Sequence, residues 1–101
     1  MYGTIGRYRV KPGMEEQLIE QLRVFEVAQV PGTVATYVYR MDADPNDFYI
    51  AVVFASKEAY LTNAQSPEQD ARYRQLLSLL EREPEWHDGV IVSALQGPGQ
   101  S

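Results

Sequence analysis

The chain contains no cysteine. That one absence removes disulfides, iron–sulfur clusters, thiolate zinc sites and cysteine nucleophiles together. Histidine is almost as scarce, with His87 alone, so no metal site is expected. Long apolar runs are missing too: nothing reaches the roughly 18 residues that a bilayer span requires. The sequence opens on a strand-like pattern at Met1-Tyr2-Gly3-Thr4, not on a basic segment followed by an apolar one. A cytoplasmic location and no membrane partner are the expectation. Positive charge is in deficit, with 9 Lys+Arg against 14 Asp+Glu for a net charge of −5. A field of that sign repels polyanions, so nucleic acid is not an expected partner.

What remains is ordinary globular material. The 101 residues are 45% hydrophobic and 23% charged, enough for one core and too short for two. One domain over residues 1–95 is expected, with a flexible tail over 96–101 rich in Gly, Gln and Pro.

Tyr2 to Val10 alternate polar and apolar types and stop at Lys11-Pro12-Gly13, which reads as a strand and a turn. Met14, Leu18, Leu22 and Phe25 then recur at helical spacing, predicting a helix to about Gln29. Pro31-Gly32 breaks it. Thr33 to Met41 is rich in β-branched and aromatic residues, and Asp42 to Asp47 is turn chemistry, so a hairpin joins it to the apolar run Phe48–Ala55. Ser56 and Ser66 each read as a helix N-cap. Ser66 is followed by Pro67 at the first helical position and Gln69 at the capping-box position. The second helical region is therefore expected in two pieces, the longer carrying Tyr73, Leu76, Leu77 and Leu80 on one side and ending near Glu83-Pro84. Trp86 to Leu95 supplies a fourth strand.

The order β-α-β-β-α-β predicts an α+β, ferredoxin-like fold: a four-stranded antiparallel sheet with the helices on one face. Phe48–Ala55 has eight apolar residues in a row and no alternation, so the other face also asks to be covered. No element is left to cover it. Two sheets packed face to face in a homodimer satisfy both copies at once.

Phe48-Tyr49-Ile50-Ala51-Val52-Val53-Phe54-Ala55-Ser56-Lys57-Glu58-Ala59-Tyr60, with Ser66-Pro67 and Tyr73 behind it, resembles the antibiotic-biosynthesis-monooxygenase-like group of the dimeric α+β-barrel superfamily. The likeness runs from Tyr2 to Leu95. It implies sheets paired in a dimeric α+β barrel and a pocket between helices and sheet. It also implies oxygenation, without a cofactor, of a small aromatic or quinol-type molecule. Haem-degrading relatives use an Asn, a Trp and a His where this chain reads Gly6, Asn63 and Tyr73, so haem is not the implied substrate. The other readings on the same fold are a non-enzymatic dimeric ligand-binding or stress-response protein and an isomerase or cyclase.

Oxygenation without a cofactor needs a base to deprotonate a phenol-like substrate and donors to hold the anion. By ordinary pKa, His87 is the base candidate. On the resemblance, Asn63 and Tyr73 border the pocket as donors, and these three form the expected catalytic set. Tyr8, Tyr37 and Tyr60 are the expected substrate-binding residues, offering ring faces for stacking and hydroxyls for orientation.

Overall fold

The computed structural model describes residues 1–28, 31–95 and 97–98. Its elements are β1 (Tyr2–Arg9), α1 (Glu15–Ala28), β2 (Thr33–Arg40), β3 (Asp47–Phe54), α2 (Lys57–Ala64), α3 (Pro67–Leu77) and β4 (Glu85–Val90). The strands form one antiparallel sheet in the order β2-β3-β1-β4, the ferredoxin-like arrangement the sequence predicts. The side chain of Phe25, the expected helix end at Gln29 and most of the expected tail lie outside the described residues.

Register decides which side chains meet. Tyr8 stands opposite Phe48, Gly6 opposite Ile50 and Trp86, and Val38 opposite Ile50. Residues directly opposite share a face of the sheet. From Ala35 onward, even-numbered residues of all four strands therefore point to one side. That side carries the core: Tyr8, Phe48 and Ile50 are buried together with Leu18 of α1 and Leu76 of α3. Phe48 and Leu18 are fully buried, each contributing about 1.5–3 kcal/mol of transfer free energy. A register irregularity between Thr33 and Ala35 breaks the count at the start of β2. Thr33 thereby pairs with Phe54 and joins the helix side.

The breaks between elements have local causes. Ser56 Oγ accepts from the Ala59 N–H at 3.1 Å and Ser66 Oγ from the Gln69 N–H at 3.0 Å, each satisfying a donor that the helix leaves free. Pro67 starts α3 at a position where its missing N–H costs nothing. Gly32, at φ +82°, lets the chain pass under α2, where a Cβ would stand 2.5 Å from that of Ala59. Its carbonyl accepts from the Ala55 N–H at 2.8 Å.

Two boundaries differ from the sequence reading. The long helix stops at Leu77, not near Glu83. The chain past it pairs with the end of β1 instead, through a Val10–Leu80 bridge and the Glu81 N–H donating to the Arg9 carbonyl at 2.8 Å. Leu80 is buried by that pairing, which satisfies the apolar position the helical reading had assigned to α3. The fourth strand ends at Val90, not Leu95. Its pairing with β1 runs as far as Val90 opposite Tyr2, and the Ile91 N–H then donates to the Met1 carbonyl at 3.0 Å.

Candidate functional site

Between the even-numbered face of the sheet and the helices lies a cavity of about 950 Å³, within the size range of small-molecule sites. The sheet supplies its floor: Ile50, Val52 and Phe54 from β3, Thr36 and Val38 from β2, Thr4 and Tyr8 from β1, and Trp86 and Asp88 from β4. Tyr60, Asn63 and Ala64 of α2 and Gln69, Asp70 and Tyr73 of α3 wall it opposite. Three apolar β3 side chains at i, i+2 and i+4 make a continuous greasy strip.

Aromatic rings shape the space. Trp86 stands edge-on to Tyr8, with centroids 5.5 Å apart and planes at 85°, the favoured geometry for two quadrupoles. It can lie there because Gly6, opposite it, has no side chain. A Cβ at that position would stand 2.7 and 2.9 Å from the indole ring and 2.8 Å from the ring of Tyr8. Tyr60 packs between Tyr2 and Phe54, at 5.3 and 5.4 Å.

One polar cluster crosses the rim. Thr4 Oγ1 donates to Asp88 Oδ1 at 2.6 Å, and the Tyr60 hydroxyl donates to Asp88 Oδ2 at 2.9 Å. Burial, reinforced by that bond to Asp88, pushes the Tyr60 phenol up to about 12. Burial, with the Tyr73 phenol beside it, raises Tyr8 further. Both hydroxyls are donors at neutral pH, not bases. A second polar cluster lies at the end of the sheet: Arg7 pairs with Asp47 at 3.1 Å and Arg9 with Asp44 at 2.6 Å. The Arg9 guanidinium, then the Asn46 N–H, hold the Asp44 carboxyl below its usual range.

A sequence profile described as antibiotic biosynthesis monooxygenase matches residues 1–84. The chain belongs to the antibiotic biosynthesis monooxygenase family. No curated protein matches it, but solved structures do. A Chloroflexus aurantiacus protein classed with these monooxygenases is 27% identical, with a TM-score of 0.78, covering 94% of this chain and 96% of its own. SnoaB from Streptomyces nogalater, a cofactor-independent oxygenase solved as an asparagine-to-alanine mutant, is 16% identical with a TM-score of 0.82, over 95% and 97% of the two chains. A Deinococcus radiodurans member is 18% identical with a TM-score of 0.82, over 98% and 100%. The last two likenesses are of fold alone.

Within this family member, four of the six expected site residues meet at the cavity: Tyr8, Tyr60, Asn63 and Tyr73. The other two do not. His87 pairs with Ile5 and Tyr37 with Ala51, on the odd-numbered face away from the helices. The His87 side chain is 70% exposed, with Glu85 4.0 Å away, and Tyr37 is 58% exposed. Sequence reasoning missed Thr4, Trp86 and Asp88. Their shared signal is parity, since Trp86 and Asp88 alternate with His87 and oppose Gly6 and Thr4. No group of three His, Asp or Glu side chains that could hold a metal occurs among the described residues, and no helix among them is long and apolar enough to cross a membrane.

Proposed function

We propose that the protein is a monooxygenase that works without a cofactor on a small aromatic or quinol-type substrate held in the helix-side cavity. The observation that carries this is the juxtaposition of an aromatic wall, Tyr8 and Trp86, with amide and hydroxyl groups of α2 and α3 across the same space. A planar ring stacks on the wall, while Asn63 and Tyr73 donate to an oxygen that gains negative charge. An electron-rich ring so held passes an electron to O2, and the resulting pair joins through a new C–O bond. Loss of water from that hydroperoxide leaves one oxygen on the ring. The four electrons that reduce O2 all come from the substrate: two from converting quinol to quinone and two from the C–H bond that becomes C–O. The substrate proton leaves to a carboxylate of the lining or to water, since His87 is on the other face. SnoaB's description as a cofactor-independent oxygenase supports this reading.

The same reading includes a homodimer joined through the odd-numbered face. There Ile5, Tyr37 and Tyr39 are 48%, 58% and 52% exposed, an apolar surface of the kind that marks association. It flanks Ala51 and Tyr49 in the register.

The deciding experiment is oxygen uptake with naphthohydroquinone under ¹⁸O2, corrected for autoxidation. The expected result is excess uptake with one labelled oxygen in the product. It should fall about 100-fold in Asn63→Ala and Tyr73→Phe, as for loss of an oxyanion donor. Saturable binding with no excess uptake refutes the oxygenase and leaves the ligand-binding reading.

A further inference from the structure

Asp88 is mounted more firmly than a rim carboxylate requires. Thr4, buried and directly opposite it in the β1–β4 pair, donates to one oxygen. Tyr60, arriving from α2, donates to the other. Two separate elements thus fix the plane of the carboxylate against the cavity. Each oxygen keeps a further lone pair, so the group can accept additional hydrogen bonds and, while ionised, can donate none. The other carboxylate of the lining, Asp70, has a cation on it, Arg74 at 3.0 Å. Asp88 is met by neutral hydroxyls instead, and no Lys, Arg or His is in the described lining. Trp86, two residues before it on the same face, lines the same cavity and offers an aromatic surface beside the carboxylate.

We propose that Asp88 selects the substrate by charge, accepting a hydrogen bond from the hydroxyl of a neutral phenolic ring and turning away aromatic acids. The assignment rests on the cavity being the substrate site. An acceptor-only group rewards a ligand that brings a donor. A ligand carboxylate offers it no proton and adds a like charge. At a separation of about 5 Å in the mixed dielectric of a cavity rim, that repulsion amounts to roughly a 10-fold loss of affinity, partly screened by salt.

The test is anaerobic binding of two probes to the intact protein at neutral pH and low salt: 1,4-naphthohydroquinone and 1,4-dihydroxy-2-naphthoate, the same ring with a carboxylate. The wild type is expected to bind the neutral probe about 10-fold more tightly. Asp88→Asn should narrow the gap to about 2-fold, chiefly by tightening the acid. Tyr60→Phe keeps the charge and should keep most of the gap. Equal affinities in the wild type overturn the proposal without any variant, and an unchanged ratio in folded Asp88→Asn does the same. Oxygen uptake followed in parallel separates the two readings. Discrimination without uptake removes the oxygenase and leaves the selector, whereas uptake with equal affinities does the reverse. Failure of both probes to bind overturns the selector together with the cavity assignment.

Discussion

Replacing Gly6 with alanine adds one methyl group where the protein has no room for it. The new carbon would stand 2.7–2.9 Å from the rings of Trp86 and Tyr8, where ordinary carbon contacts need about 3.5–4.0 Å. One ring must therefore retreat by the better part of an ångström. Tyr8 is buried in the core, while Trp86 is 41% exposed, so the indole is the ring that moves. Overpacking of this kind costs about 1–3 kcal/mol, and loss of the edge-on pair with Tyr8 adds about 0.5–1.5 kcal/mol. Better strand propensity of alanine over glycine offsets part of this. A net loss of about 2 kcal/mol lowers the Tm of a domain this size by roughly 8–16 °C. Trp86 is the one tryptophan in the chain, so its fluorescence reads the same event. Emission should shift to the red as the ring turns toward water, in step with the lower Tm measured by far-UV circular dichroism. A Gly6→Ala protein with unchanged Tm and unchanged emission refutes the seating of Trp86 on Gly6 and the cavity wall built from it.

Tyr60 has a phenol raised from 10 to about 12 in the folded state. The stability it contributes is complete below pH 10 and lost as pH rises through about 12. Alkaline unfolding of the wild type should be steeper over that window than that of Tyr60→Phe, as followed by circular dichroism. Ser66→Ala removes the acceptor for the Gln69 N–H and should cost about 1 kcal/mol in urea unfolding, with little change in m. Ile5→Arg places a charge on the odd-numbered face. By light scattering it should shift the expected mass of two chains toward one, and a wild type already at one chain refutes the association.

The helix-side core was legible because its residues are large, apolar and regularly spaced: Leu18 on α1, and Phe48 and Ile50 on β3, are identifiable before any coordinates. The N-caps at Ser56 and Ser66 were equally plain, being local chemistry. What escaped was governed by distant partners. Nothing in Ser78 to Glu81 announces that Leu80 will bridge to Val10, and the extent of β4 follows its pairing with β1, which brings Asp88 opposite Thr4 from 84 residues away in sequence. The site divided along the same line. Tyr60, Asn63 and Tyr73 were reached through the family resemblance, which puts their helices against the pocket, and the spacing of α3 adds Tyr73 to its apolar side. In β4 every residue is exposed, so hydropathy carries no trace of parity, and a one-residue step exchanges Trp86 and Asp88 for His87.

That two-residue alternation divides the sheet into two independently variable inscriptions on one backbone. Thr4, Gly6 and Tyr8 belong to the cavity and core, while Ile5, Arg7 and Arg9 interleaved with them belong to the opposite face. A lineage can rewrite what it binds at even positions while leaving the odd face untouched, or the reverse. Neighbouring codons in β1, β3 and β4 are then free to drift under different selection. A designer retuning this protein for a new ring should mutate by parity, not by proximity in the sequence.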